Sequence, residues 1–471
     1  MNLRGKTILV LGMGETGLSM AKWLSRIGSN IRVADNRSAP PNLRTLERAV
    51  PAAQVFTGTF SADIFIGIDL IAISPGVPLA APLVRQAVKR GVPVVGDIEL
   101  FALALKSFGT RRPKILAITG SNGKTTVAAM VDAMMKKAGW DTEVAGNIGP
   151  AVLDALIQRL DSGKLPQLWI LELSSFQLES TQSLNPDAAV VLNLSEDHFD
   201  RYVGIQDYAI AKARIFSEET DGSVVQVLNR DDPIVSTMAL TGRKQITFGL
   251  GVPVAERDFG LLRDGGETWL VQGRTRLIKT SELAITGLHN VANALAALAL
   301  CRAIGLTDNP LLQALREFSG LPHRMEKVAA FNGVTFYDDS KGTNVGATVA
   351  ALSSMTQNIV LIAGGDGKQQ DFSFLKEAIA KHARAVVLIG KDAGRIAAAL
   401  DGCGVPLHSA AAMEEAVQKS FSLAKEGDAV LMSPACASTD MFRNYVHRAE
   451  MFVAAIRNLE IKILATASAA H

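Results

Sequence analysis

The chain has 471 residues, 48 % of them hydrophobic and 20 % charged, and its 48 Lys and Arg against 46 Asp and Glu leave a formal charge of +2. So long a chain exceeds what one core ordinarily serves and suggests about three domains. So apolar and balanced a composition excludes a disordered chain and gives no support to a polyanion-binding surface.

Cys301, Cys403 and Cys436 are far apart and outside any C-x-x-C, which excludes a disulfide framework or thiolate zinc site and suits a reducing compartment. The apolar start M-N-L-R-G-K-T-I-L-V-L-G breaks at Gly12 and Gly14 into a turn rather than a cleavage site. No run approaches the ~18 apolar residues of a membrane span. A soluble, cytoplasmic protein with no membrane or nucleic-acid partner is expected.

From 6 to 105, β-like runs at 7–11, 30–34, 70–74 and 92–96 alternate with helical patterns, the rhythm of a parallel sheet covered by helices. Gly12, Gly14 and Gly17 match G-x-G-x-x-G directly after the first run, and Asp35 closes the next one, where a ribose-binding acid would sit. This pattern specifies a tight turn and a helix N-terminus that offers N–H groups to a diphosphate. A dinucleotide, another nucleotide diphosphate and a purely structural turn all satisfy it.

S-F-G-T-R-R-P (107–113) then looks like a linker, and a second series follows at 114–118, 168–173 and 188–194. Between its first run and a helical pattern lies I-T-G-S-N-G-K-T-T (118–126). This turn departs from G-x-x-x-x-G-K-[ST], because Ile118 stands where the first Gly belongs, but its Lys-Thr end is intact. Gly123 lets the backbone wrap a phosphate, Lys124 supplies a cation to the terminal phosphates, and Thr125 offers a hydroxyl to Mg²⁺.

Glu172 and Gln177, in L-E-L-S-S-F-Q-L-E, lie where a parallel sheet offers its C-terminal edge to ligands. A carboxylate ending an apolar strand is costly unless ion-paired or metal-bound; a Mg²⁺ ligand is the preferred reading. His198, in E-D-H-F-D-R-Y, follows the next strand onto the same edge, and Lys212 reads by itself as an ordinary snorkelling lysine. An alanine-rich, buried-looking helix at 292–304 precedes the break at G-L-P-H-R (320–324).

A third series occupies 358–365, 385–390 and 428–433, and F-Y-D-D-S-K-G-T-N (336–344), G-G-D-G-K (364–368) and S-P-A-C-A-S (433–438) end its strands as a binding rim. The tail at 464–471 reads as a fraying end. The fold class is α/β, with domains at 1–103, 104–320 and 321–471.

Taken together and in this order, T-G-S-N-G-K-T-T, A-G-N-I-G, L-E-L-S-S-F-Q-L-E, N-L-S-E-D-H-F-D-R-Y, G-L-H-N-V-A-N, G-L-P-H-R-M-E, Y-D-D-S-K-G-T-N, G-G-D-G-K and S-P-A-C-A-S resemble the Mur ligase family over nearly the whole chain. Among its branches, G-G-D-G-K suits the one that adds D-glutamate, and the D-N-P-R-type motif of the diaminopimelate- or lysine-adding branches is missing. The resemblance implies a Rossmann-like N-terminal domain for a UDP-linked substrate, a central P-loop-type ATPase domain, and a Rossmann-like C-terminal domain for D-glutamate and part of ATP. It implies ATP-dependent amide formation through an acyl phosphate, on UDP-N-acetylmuramoyl-L-alanine and D-glutamate, by a monomer.

Residue by residue, the resemblance puts Glu15, Thr16, Asp35, Arg37, Ser74, Pro75 and Gly76 around the UDP moiety, and Asn147 and Gln177 on the muramoyl-alanine portion. ATP would meet Gly120, Ser121, Asn122, Gly123, Lys124, Thr125, Thr126, Asn293, Arg324 and Asp339. Two Mg²⁺ ions are implied, the first on Thr125 and Glu172, the second on His198 and an N6-carboxylated Lys212; Lys124, His198 and Lys212 would carry the chemistry. D-glutamate would be gripped by Thr343, Lys368, Ser438 and Tyr445 with His198 nearby, although Phe is common where Tyr445 stands. A folylpolyglutamate synthetase would share the ATP turn but not the leading G-x-G-x-x-G domain, and an NAD-dependent oxidoreductase would need a hydride site that the sequence does not reveal.

Overall fold

The computed structural model describes residues 2–198, 201–216, 224–285 and 287–469. Its first sheet joins β1 (Thr7–Leu11), β2 (Asn30–Asp35), β3 (Gln54–Thr57), β4 (Leu70–Ile73) and β5 (Val94–Val95) in the order β3-β2-β1-β4-β5, with every pairing parallel. The order reverses between β1 and β4, so a crevice opens at their C-terminal ends. Gly12 and Ser74 stand there, and the helix Glu15–Arg26 starts there.

The second sheet comprises β6 (Lys114–Thr119), β7 (Thr142–Gly146), β8 (Leu168–Glu172), β9 (Ala188–Val191), β10 (Val225–Asn229), β11 (Gln245–Phe248), β12 (Phe259–Asp264), β13 (Glu267–Gln272) and β14 (Thr275–Lys279). Its order is β14-β13-β12-β11-β10-β9-β6-β8-β7. The last three strands form an antiparallel meander, whose first turn uses Gly265 and Gly266, both at positive φ as a two-residue hairpin of the right twist requires.

The third sheet contains β15 (Glu326–Phe331), β16 (Val334–Asp338), β17 (Ile359–Gly364), β18 (Ala383–Ile389), β19 (Leu407–Ser409) and β20 (Ala429–Met432), ordered β15-β16-β20-β17-β18-β19. Asn332 and Gly333, both at positive φ, turn β15 into β16, which pair antiparallel where the other strands of this sheet pair parallel among the described residues. The order sets the ends of β16, β20 and β17 side by side, which assembles the expected rim, and Asp366 and Ala437 exchange backbone hydrogen bonds across it.

The chain divides into two compact units. One takes the chain up to Asn193, Gln206–Glu282 and Asn293–Arg316; the other takes Leu194–Ile205, Leu283–Ala292 and everything from Glu317. Position 103 falls within the helix Asp97–Lys106, and 320 lies between the helix Asp308–Glu317 and β15. The alanine-rich helix runs Leu288–Ala303, and its stretch Ala294–Cys301 has no exposed surface, so that stretch is apolar all round because it is buried all round.

Within the tail at 464–471 the described residues continue the final helix, Tyr445–Ala469, and the good helix formers Leu464 and Ala465 suit that continuation. Among the described residues no helix is long and apolar enough to cross a membrane.

Candidate active site

After β6 the backbone turns through Gly120 and Gly123 at φ 148° and 84°, and the helix Lys124–Lys137 begins with no side chain capping it. The positive end of this helix's dipole therefore faces the turn and favours an anion there. Asn193 braces the turn: its Oδ1 accepts from Asn122 N at 2.8 Å and its backbone oxygen accepts from Ser121 N at 2.8 Å. A Cβ on Gly123 would collide with Asn293 Oδ1, so Asn293 lies directly against the turn. Lys124 Nζ folds over it, donating to Gly120 O (2.8 Å) and Ser121 O (2.9 Å).

Glu172 ends β8 beside Ile118 of β6 and is 1 % exposed. Its Oε1 accepts from Asn147 Nδ2 at 2.8 Å, and its buried Oε2 has no hydrogen-bond partner among the described residues. The ion pair that the sequence left open is absent there. A buried carboxylate oxygen lacking a donor fits a cation, and hard divalent ions prefer such oxygens. Lys212, 1 % exposed, reaches the same turn, donating to Gly120 O (3.0 Å) and Thr119 Oγ1 (3.3 Å) with Nζ 4.6 Å above the Tyr208 ring.

At the first crevice, Glu15, Thr16, Asp35, Arg37, Ser74, Pro75 and Gly76 line one cavity of about 510 Å³, and Asn147 and Gln177 of the second sheet's loops line it too. The structure thus brings together all nine residues expected around the UDP-linked substrate in this unit. Asn36, Phe60 and Val77 also line the cavity, and the sequence reading missed them. Asp35 accepts from Met13 N (2.7 Å) and bidentately from the Arg37 guanidinium (2.8 and 2.7 Å), which holds its carboxyl down at about 2. Asp35 shapes the turn and orients Arg37, which is a different task from reading a ribose alone.

Gln177 caps its own helix, accepting from Ser174 N, and donates through Nε2 to Asp97 Oδ2 at 3.0 Å. Asp97 was not anticipated. Its only sequence signal is an acid two residues after β5, yet it is wholly buried, its other oxygen lacks a partner among the described residues, and burial pushes its carboxyl up to about 6. Glu99, on the same helix, accepts from Gln182 N and Ser183 N at 2.7 Å each, so this helix ties the first sheet to the second.

Because the folded protein binds the Asp97 proton more tightly than the unfolded chain, Asp97 adds stability at low pH that is lost as pH rises from about 4 through about 6. Asp97→Asn removes the buried charge but leaves an amide donor in place of the orphaned oxygen. It is expected to stabilise the protein by about 2 kcal/mol at pH 8 and to flatten stability between pH 4 and 6. Thermal melts of the two proteins across that range check both effects.

The second unit holds the remaining expected residues. His198, at φ 58°, has Nε2 3.6 Å from Asp197 Oδ2, and Lys368 Nζ lies 3.6 Å from Asp197 Oδ1. Asp197, which the sequence reading passed over, is the carboxylate between two expected substrate residues. Asp339 accepts from Ser433 Oγ at 2.7 Å, and burial pushes it up to about 7, opposed by that bond and by the Arg324 charge.

Lys341 Nζ sits 3.8 Å from the centre of the Tyr445 ring, Asn344 caps the next helix by accepting from Ala347 N, and Ser438 is 4 % exposed. Thr343 lies between Lys341 and Asn344 on the rim. Of the four proposed metal ligands, Thr125, Glu172 and Lys212 belong to the first unit and His198 to the second.

Three family models match in chain order: the MurD-like N-terminal domain of Mur ligases at 6–96, the Mur ligase middle domain at 118–301, and the Mur ligase glutamate ligase domain at 323–436. The chain belongs to the Mur ligase family. Among curated relatives of this Mur ligase, the UDP-N-acetylmuramoylalanine--D-glutamate ligase of Nitrosospira multiformis is 67 % identical over 98 % of this chain and 97 % of its own. The like-named protein of Nitrosomonas europaea is 62 % identical over the full length of both. The solved UDP-N-acetylmuramate-alanine ligase of Thermotoga maritima matches with TM-score 0.59 at 20 % identity, covering 96 % of this chain and 99 % of that one, so the Mur ligase fold is shared.

Proposed function

We propose that this Mur ligase joins D-glutamate to UDP-N-acetylmuramoyl-L-alanine with cleavage of ATP to ADP and phosphate, in peptidoglycan precursor synthesis. The hydrogen bond from Asn147 to Glu172 carries the geometric side of this reading. Asn147 lines the cavity at the G-x-G-x-x-G turn and Glu172 ends the strand paired with the one that feeds the phosphate turn. One contact therefore links the pocket for a UDP-linked carboxylate to the turn for ATP.

The substrate carboxylate attacks the γ-phosphorus of ATP, releasing ADP and leaving an acyl phosphate. The D-glutamate amine then adds to the acyl carbon, and phosphate leaves as the amide forms. Two anions must meet in the first step, so holding them in line and neutralising their charge supplies most of the catalysis. Lys124 moves from the carbonyls of Gly120 and Ser121 to the γ-phosphate, Gly123 to Thr126 hold the phosphates by backbone N–H, Asn293 and Arg324 contact ATP, and Asp339 contacts its ribose.

Thr125 and Glu172 would hold one Mg²⁺, with His198 and carboxylated Lys212 for a second, and the ions would supply positive charge to the phosphates. Thr343, Lys368, Ser438 and Tyr445 grip D-glutamate. The enzyme acts as a cytoplasmic monomer with domains 1–103, 104–320 and 321–471, on small molecules rather than membranes or nucleic acids.

Phosphate release with ATP, Mg²⁺ and UDP-N-acetylmuramoyl-L-alanine tests the assignment. Release is expected with D-glutamate and not with L-glutamate or meso-diaminopimelate; turnover with either of those overturns the amino-acid assignment. Because a lysine carbamate forms reversibly from CO₂, stripping bicarbonate from the assay is expected to lower wild-type activity severalfold. Lys212→Ala should be about 10²-fold slower and indifferent to bicarbonate; a bicarbonate-insensitive wild type would remove the carbamate from the scheme.

A further inference from the structure

Arg448 is a guanidinium that no step above uses. It lies in the first turn of the helix Tyr445–Ala469 with no exposed surface, and donates from Nη1 to Cys436 O (3.1 Å) and from Nη2 to Ser340 O (2.8 Å). Its Nε has no hydrogen-bond partner among the described residues, and none of their carboxylate oxygens lies within 4.0 Å of it.

This is an expensive residue. Burial pulls the guanidinium down to about 10, with Cys436, Asp440, Asp338 and Asp339 opposing it electrostatically. A cation in the first turn of a helix also meets the positive end of the helix dipole, and an apolar side chain of similar volume would fill such a site at lower cost. What the arginine does that an apolar residue cannot is hold two carbonyls in one rigid fork.

Those carbonyls belong to the two loops of the rim. Ser340 precedes Lys341 and Thr343, and Cys436 lies two residues before Ser438. The same helical turn touches the first loop again, because Tyr445, three residues before Arg448 and so on the same face, takes Lys341 Nζ over its ring. We infer that Arg448 is a positioning residue for the amino-acid substrate: by fixing the carbonyls of Ser340 and Cys436 it sets the spacing between the loop of Lys341 and Thr343 and the loop of Ser438, and hence the distance between the two substrate carboxylates that the rim accepts. This inference rests on the rim being the amino-acid site.

The test uses the full-length protein. Wild type, Arg448→Met and Arg448→Lys are compared for kcat, for KM toward each of the three substrates, and for preference between D-glutamate and D-aspartate, whose carboxylates are one methylene closer. Arg448→Met should raise KM for D-glutamate about tenfold or more, with KM for ATP and for the UDP-linked substrate within about twofold of wild type. Arg448→Lys, whose single ammonium cannot span both carbonyls, should restore part of that loss while narrowing the D-glutamate over D-aspartate preference severalfold.

If Arg448→Met does not fold, Arg448→Lys decides. A lysine variant with wild-type KM and preference, or one whose three KM values rise together, overturns the inference. Should wild type use a different amino acid, the proposed substrate is wrong, and the same split read on that amino acid still tests Arg448.

Discussion

Replacing Lys124 with alanine is expected to lower kcat by about 10²–10³-fold, the usual consequence of removing one pre-oriented charged donor from a transition state. The reaction drives a carboxylate onto a phosphate, so the barrier contains a direct repulsion between anions, and Lys124 is the cation that opens the helix of the phosphate turn. Its ammonium donates to the carbonyls of Gly120 and Ser121. These are neutral acceptors at the mouth of the turn, so their loss should scarcely alter the fold. The measurement is single-turnover phosphate release together with a thermal melt. A rate loss with an unchanged melting temperature is the expected pair; a small rate effect would take Lys124 out of the chemistry.

The second large effect is expected at Gly17. It lies in the first turn of the helix Glu15–Arg26, and a Cβ there would overlap the carbonyl oxygen of Gly12 and come within 3.0 Å of Ser74 Oγ. The obstacle is backbone, which cannot swing aside as a flexible side chain would. Gly17→Ala therefore has to push the helix away from β1, destabilising the first sheet by about 3 kcal/mol or more and opening the turn that would hold the diphosphate. Calorimetry with the UDP-linked substrate should show binding lost, and the melting temperature should fall by several degrees. Gly14 belongs to the same motif but has nothing within 4 Å of its Cβ position and no positive φ, so Gly14→Ala should melt with wild type. Equal effects at both positions would contradict the packing explanation.

The motif as written in the sequence treats those glycines alike. The structure separates them, because the close approach of helix to strand falls on Gly17 alone of the pair. The same contrast runs through the other elements. The buried parallel strands β1, β4, β6, β8 and β17 were legible as short apolar runs closed by turn residues. The edge strands β3, β7 and β19 were not, since each is short and half-exposed and shows no apolar run of its own. The hairpin at Asn332 and Gly333 carried a strong turn signal that went unread.

What this sequence determined by itself was local: two anion-binding turns, a carboxylate ending an apolar strand, small polar residues after the third set of strands, and a succession of motifs that resembles the Mur ligase family. Each depends on residue types within a few positions of one another, where backbone sterics and hydrogen bonding act directly. Tertiary structure decided the rest. The strand order β16-β20-β17 brought three distant loops onto one rim, and the packing of one sheet's last helix against the other's loops put Asp97 on Gln177, 80 residues away. The approach of Lys368 to Asp197 and the bond of Arg448 to Ser340 likewise span long sequence separations, and the orphaned oxygen of Glu172 is set by the burial around it. Their energies come from burial and from unmet hydrogen bonds, which exist only once the chain has closed around them.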